Sequence, residues 1–222
     1  LAEKQAEAIR TALTGKITVI TGGPGTGKTT ILRSLVSILR RAGAGVLLAA
    51  PTGRAAKRLS EASGREARTI HRLLEYSPRE HAFQRNDENP LTCDWLILDE
   101  ASMIDAVLMY HLLKAIPSGS SLVLVGDKDQ LPSVGAGRVL ADIIGSGTVV
   151  VVELKEIFRQ AEASEIVVNA HRINLGDMPQ SSQDGDFYLI HREDPEAVVE
   201  LIVRLCSKQI PARFGLNPVE DI

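Results

Sequence analysis

Apolar residues along this chain fall into compact blocks separated by amphipathic stretches, and the two patterns alternate. Residues 2–14 carry Ala6, Ile9 and Leu13 at helical spacing. Ile17-Thr-Val-Ile20 is a short β-branched strand that runs straight into a glycine-rich loop. Residues 29–41 then form an amphipathic helix with Ile31, Leu35, Ile38 and Leu39 on the inner side, ended by Gly43. Val46–Ala50 is a buried strand that stops at Pro51, where a helix interior could not continue. Trp95–Leu98 and Leu122–Val125 are two more continuous apolar runs, with helices at about 105–116 and 136–145. Unbroken apolar runs suit parallel strands covered on both faces. The pattern therefore predicts an α/β fold built on a doubly wound, mostly parallel sheet.

Two features interrupt the alternation. Residues 77–90 are polar, begin Ser-Pro and end in proline, and read as a small surface insertion or hairpin. After Gly145-Ser-Gly147 the pattern restarts with a strand at 149–152, a helix near 163–174, a strand near 187–190 and a helix near 195–208. Two units follow from this, 1–147 and 148–222, the second holding only two strand–helix pairs and reading as the truncated start of a domain. The opening Leu-Ala-Glu-Lys-Gln carries neither an initiator Met nor a signal-type core, so the chain reads as an excised segment.

Composition changes this picture little. With 44% hydrophobic and 24% charged residues over 222 positions, the chain is ordinary globular protein. No apolar run approaches the ~20 residues of a membrane helix, so no membrane partner is expected. Cys93 and Cys206 match no metal or disulfide spacing and read as buried free thiols in a reducing cytoplasm. The net charge of −3 advertises no polyanion partner. Locally the balance differs: Arg54, Lys57, Arg58, Arg65, Arg68 and Arg72 stand against only Glu61 and Glu66. On charge alone, a solvated helix face and a nucleic-acid surface both remain open.

The chemistry concentrates at strand ends. Gly22-Gly-Pro-Gly-Thr-Gly-Lys28-Thr29 has the spacing G-x-x-x-x-G-K-T and lies between a strand and a helix, the context a phosphate loop requires. Its glycines let the backbone N–H groups of Gly23, Pro24's neighbours, Gly25, Thr26 and Gly27 turn toward phosphate at a helix N-terminus. Lys28 supplies a charge to the outer phosphates, and the Thr29 hydroxyl is placed to ligate Mg²⁺. Leu96-Ile-Leu-Asp99-Glu100 adds the carboxylates: Asp99 for the metal, through water, and Glu100 as the base for an attacking water. The loop Gly126-Asp-Lys-Asp-Gln130-Leu-Pro132 follows the third apolar run, where Gln130 is either a γ-phosphate contact or a plain turn residue.

Taken with Ala50-Pro-Thr-Gly-Arg-Ala-Ala-Lys57, Thr69-Ile-His-Arg-Leu-Leu74, Asp99-Glu-Ala-Ser-Met103, Val125–Gly137 and Leu154-Lys-Glu-Ile-Phe-Arg-Gln-Ala161, these segments resemble superfamily 1 DNA helicases of the RecD-like branch, the exodeoxyribonuclease V alpha subunit family. The resemblance implies a RecA-like P-loop ATPase domain followed by the start of a second RecA-like domain. It implies ATP and Mg²⁺ as ligands, with Thr30 completing the loop and Gln5 reading the adenine edge. It makes Arg159 the arginine that reaches the γ-phosphate from the second domain; without it, Arg159 would be an ordinary surface or helix-cap residue.

The basic stretch takes on meaning by the same route. Pro51, Thr52 and Arg54, with Thr69 and His71, match segments that touch the backbone of single-stranded DNA, and the insertion 77–90 matches a small pin that helps split a duplex. The implied activity is ATP-driven 5′-to-3′ translocation on single-stranded DNA in repair or recombination, alone or with other subunits of a nuclease–helicase complex. The isolated segment would then bind nucleotide but hydrolyse it feebly. Two other classes fit the phosphate loop alone: a different P-loop enzyme such as a kinase or GTPase, and a regulatory nucleotide-binding module.

Overall fold

The computed structural model describes residues 2–156, 158, 163–182 and 185–220. Its centre is a six-stranded sheet in the order β3-β2-β6-β7-β1-β8. The strands are β1 (Ile17–Gly22), β2 (Val46–Ala50), β3 (Arg68–Thr69), β6 (Trp95–Leu98), β7 (Ser121–Gly126) and β8 (Val150–Leu154). Every neighbouring pair in this sheet is parallel. A two-residue antiparallel hairpin, β4 (Tyr76–Ser77) with β5 (Ala82–Phe83), stands apart from it inside the polar insertion.

Parallel neighbours cannot be joined by tight turns, so the chain crosses over through helices, and these cover both faces. Side chains alternate accordingly. On β6, Leu96 and Leu98 enter one core and Ile97 the other; on β7, Leu122 and Leu124 oppose Val123 and Val125. The second of these cores is closed by α1 (Glu3–Thr14), α2 (Lys28–Arg41) and α3 (Gly53–Ser63). The first is closed by α4 (Ile70–Leu73), α5 (Ala106–Ala115) and α6 (Val139–Gly145). This two-sided burial is why the runs read as unbroken apolar blocks.

Helix faces follow the pattern with small rotations. On α2 the buried stripe is Ile31, Leu32, Leu35, Val36 and Leu39. Ile38, which the sequence places inward, sits at the border of that stripe and is 41% exposed. On α1 the buried set is Gln5, Ala8, Ile9 and Ala12, with Ala6 and Leu13 half-buried. The thiols of Cys93 and Cys206 are free but half-buried rather than buried. Of the three methionines, Met109 packs into the core while Met103 and Met178 are exposed.

The sheet does not end at Gly145–Gly147. The β-branched run after it forms β8, which pairs with β1 from Thr18↔Val150 to Gly22↔Leu154. Beyond β8 the chain forms α7 (Glu165–Asn174), α8 (Pro195–Arg204), a wide turn over Leu205–Gln209 and α9 (Ile210–Phe214). Helix α7 begins at Ser164, whose hydroxyl oxygen accepts the Val167 N–H at 3.4 Å. Its buried Asn169 is clamped to the following loop by two hydrogen bonds with the Gln180 backbone, at 2.6 and 2.7 Å. Residues 187–190, expected as a strand, are not in one: none of the described strands lies beside them to supply a ladder, and Tyr188, Leu189 and Ile190 are each nearly half exposed.

Leu98 connects core to site, being fully buried immediately before Asp99. Leu98→Ala is expected to cost about 2–5 kcal/mol of stability. Urea unfolding checks this: the midpoint falls while the slope stays constant.

Candidate functional site

All six strands run the same way, so every strand's C-terminal end opens at one edge of the sheet, and the sequence motifs collect there. The phosphate loop leaves β1, Pro51 and Thr52 leave β2, and Thr69 ends β3. Asp99 and Glu100 leave β6, and Asp127 follows β7.

The loop is held by its own side chains. Thr26 is buried and donates its hydroxyl proton to the Gly23 carbonyl at 2.8 Å. Lys28 donates to the carbonyls of Gly22 and Gly23 at 2.6 and 2.9 Å. Gly27 has a φ of +82°, and a methyl group there would collide with the Gln5 amide and, at 2.9 Å, with the Phe158 ring. Only glycine meets both conditions. Thr29 and Thr30 lie exposed in the first turn of α2, where hydroxyls and backbone N–H groups can meet phosphate and a hydrated cation.

Gln5 packs against the phosphate loop from the N-terminal helix. It is buried, accepts the Ala2 N–H at 3.1 Å, and lies over Gly27 beside Phe158, whose own N–H donates to the Gly25 carbonyl at 3.3 Å. An amide and an aromatic ring thus flank one recess next to the loop. Sequence reasoning missed Phe158, because a lone aromatic in a short stretch outside any helix or strand carries no periodic signal.

The carboxylates converge on Lys28. Burial holds its ammonium below the usual lysine range, and Asp127, Glu100 and Asp99, in that order, pull it back up. Asp127 is buried and was not assigned a role by the sequence, although its place just after an apolar strand parallels that of Asp99. Asp99 is pushed up to about 6 by burial, with the Glu100 carboxylate adding to the rise; the Glu100 N–H and the Lys28 ammonium act against it. Glu100 itself sits in the left-handed region at φ 53°, ψ 41°, a conformation costing about 1–3 kcal/mol in a residue with a side chain. The turn it makes sends the chain sharply off the strand end.

One ammonium among three carboxylates leaves the site short of positive charge. A divalent cation would supply it, and oxygen donors at Thr29 and Asp99 suit Mg²⁺, which keeps much of its water and takes one or two protein ligands plus phosphate oxygens. Among the described residues no group of three or more His, Cys, Asp or Glu is arranged to hold a metal ion.

The loop after β7 is tied to the phosphate loop through the Thr21 hydroxyl oxygen, which accepts the Lys128 N–H at 3.2 Å. Lys128 also pairs with Glu153 of β8 at 2.6 Å. Gln130 is exposed on this loop and lines, with Gly22, Gly23 and Pro24, a cleft of about 610 Å³ whose far wall is α7. Arg159 lies outside the described residues. His171, one of several scattered histidines in the sequence, lines this cleft in contact with Pro24, its Nε2 3.2 Å from the carbonyl oxygen.

Thr52 and Thr69 both work as helix caps. Their hydroxyl oxygens accept the N–H groups of Ala55 and Arg72, each at 3.2 Å, which starts α3 and α4. Ala50 and Thr69 are register partners, so the two caps stand side by side on adjacent strands. Arg54 and His71 are exposed next to them, and the His71 ring meets Tyr76 edge-on and Phe83 at centroid distances of 5.8 and 5.6 Å. The insertion hairpin is thereby docked on His71.

Asp99 generates a stability prediction. Its folded value lies above the ordinary 3.8, so the fold binds its proton more tightly than the unfolded chain does. Stability associated with that proton is present below about pH 4 and lost as pH rises to about 6. Asp99→Asn is therefore expected to raise the melting temperature by several degrees at pH 8 in metal-free buffer, and by less at pH 4. Thermal melts at the two pH values, with no gain at pH 8, would contradict the assignment.

Known proteins place this geometry. The family model described as "AAA domain" matches residues 5–136. The ATP-dependent RecD2 DNA helicase of Deinococcus radiodurans is 41% identical over 179 residues, covering 81% of this chain and 24% of the relative. The RecBCD enzyme subunit RecD of Mycolicibacterium smegmatis is 38% identical over 229 residues, covering 90% of this chain and 41% of the relative. The chain thus spans well under half the length of these relatives. The Pif1 helicase of Candida albicans superposes with a TM-score of 0.55 at 25% identity, over 81% of this chain and 45% of that one. A Bacteroides Pif1 solved with ADP-AlF3 and single-stranded DNA gives 0.54 over 96% of this chain and 57% of its own, at 23% identity, and shows the same fold. The chain belongs to the AAA domain family.

Proposed function

We propose that this chain is the nucleotide-binding part of a DNA helicase motor, in which ATP hydrolysis drives 5′-to-3′ movement along single-stranded DNA. One observation carries the reading. In a wholly parallel sheet, the phosphate loop, its carboxylates and the Pro51–Arg54 and Thr69–His71 segments all leave the same edge, so nucleotide and strand can share one crevice. Relatives named as ATP-dependent DNA helicases support the reaction class.

In this reading Lys28 leaves the two carbonyls it bonds now and meets the β and γ phosphates, while the N–H groups of the loop and of the α2 start take the inner oxygens. Gln5 and Phe158 hold the adenine between an amide and a ring. Glu100 orients the attacking water and accepts its proton, and Gln130 bonds the γ-phosphate or that water. Thr29 and Asp99 would hold Mg²⁺, the latter through water, and the ion would supply the positive charge the phosphates need. Arg159 would complete the charge from the second unit, which we take to begin beyond β8 rather than at residue 148, since β8 belongs to the first unit's sheet.

On the DNA side, Thr52 and Thr69 already spend their hydroxyl oxygens as acceptors at the caps. Their O–H protons remain available to donate to phosphate, as do Arg54 and His71. Contacts of this kind position a strand without reading its sequence. Movement would follow from closing the cleft between the two units on ATP and reopening it after hydrolysis. A role in repair or recombination, and assembly with other subunits, follow from the relatives named as RecBCD subunits.

Two measurements test this. Lys28→Ala is expected to weaken ATP binding by this chain at least roughly tenfold while leaving oligonucleotide binding intact; unchanged ATP affinity would overturn the site. Arg54→Ala is expected to weaken a fluorescent single-stranded oligonucleotide and to reduce the slope of log affinity against log salt by about 0.7. A slope identical to that of the unaltered chain would remove Arg54 from the interface.

A further inference from the structure

The unexplained feature of the site is the close fit between Gly23 and a helix more than 140 residues away in sequence. A Cβ built on Gly23 would meet three atoms of the His171 ring first, Cε1 at 2.7 Å, Nε2 at 3.3 Å and Nδ1 at 3.5 Å. The same ring places Nε2 3.2 Å from the Pro24 carbonyl. A carbonyl only accepts, so Nε2 carries the proton and donates. His171 is therefore packed on one residue of the phosphate loop and bonded to the next.

The ring is also firmly mounted. It projects from α7, whose start is capped by Ser164 and whose buried Asn169 makes two hydrogen bonds to the Gln180 backbone. Asn174 and Leu175 on the same helix, with Gln130 on the opposite side, line the cleft that opens beside Gly23 and Pro24. The loop end that joins α2, from Gly27 to Thr29, is the end whose N–H groups serve the inner phosphates. Gly23 and Pro24 are at the other end, and Gly23 contributes one of the two carbonyls that hold Lys28. When Lys28 turns to phosphate, the Gly23 carbonyl keeps only the Thr26 hydroxyl at 2.8 Å, and the His171 contact is the hold on this end that comes from outside the loop.

We propose that His171 is a positioning residue through which α7 senses the terminal phosphate: it fixes the Gly23–Pro24 peptide where a triphosphate, but not a diphosphate, comes against it. The inference rests on reading residues 22–29 as the nucleotide site. It also explains why the first variable position of the motif is glycine here, since any side chain would displace the ring.

The test measures binding of fluorescent, non-hydrolysable adenosine triphosphate and of the corresponding diphosphate, both with Mg²⁺, to the 222-residue chain, with folding checked by circular dichroism. His171→Ala is expected to weaken the triphosphate roughly three- to tenfold, the worth of one hydrogen bond, and to change the diphosphate by less than about twofold. His171→Gln, which restores an N–H donor, is expected to recover most of the loss. Gly23→Ala is expected to weaken the triphosphate in the native background and to add little once His171 is already alanine. Equal losses for both nucleotides, no recovery with glutamine, or a Gly23→Ala effect independent of residue 171 would each overturn the proposal. If the unaltered chain bound neither nucleotide, the phosphate-loop reading would fall and this one with it; binding by the unaltered chain that His171→Ala leaves untouched would overturn this one alone.

Discussion

Parallel pairing of β1 between β7 and β8 is the constraint on which the remainder of the molecule depends. A strand in that position has no solvent face, so Val19 and Ile20 are both fully buried although they point in opposite directions. Each parallel neighbour requires a helical crossover, and the crossovers supply the two layers that bury them. The same geometry sends the chain out of every strand at one edge. The segments that leave β1, β6 and β7, far apart along the chain, thus meet around one lysine without any of them having to reach.

That lysine also shows what kind of site this is. A structural lysine would be matched by one carboxylate; Lys28 is surrounded by three and pushed down by burial nonetheless. Asp99 is forced up, and Glu100 holds an unfavourable backbone conformation beside it. These are costs that a surface aiming only at stability would shed. In the proposed reading a phosphate chain and a cation would offset them, and the free site would store part of its binding energy as unbalanced charge.

Much of this was legible before any coordinates. The continuous apolar runs announced two-sided burial, and the glycine-rich spacing from Gly22 to Thr29 announced a loop between a strand and a helix, where the structure has it. Asp99 and Glu100 were readable for the same reason, as acids closing an apolar strand. What could not be read was contact between distant segments. Nothing in the helical spacing of residues 2–14 marks Gln5 as buried against Gly27 and beside Phe158. His171 looked like one more scattered histidine, since nothing in its neighbours' periodicity mentions Gly23. The restart at residue 149 suggested a new unit, because period and composition cannot tell which sheet a β-branched run will join. Residues 187–190 had the right composition for a strand and no partner to pair with; a ladder is a property of two segments, not of one.

The position of β8 has a mechanical consequence. Its last residue, Leu154, is level with Gly22, the first glycine of the phosphate loop, across a ladder that begins at Thr18. The chain then passes Phe158, bonded to the loop at Gly25, on its way to α7. A pull on the chain beyond β8 would therefore reach Gly22 along a paired strand edge, and Gly25 through the Phe158 N–H, rather than through a single contact. The edge strand serves as a lever arm as well as a wall.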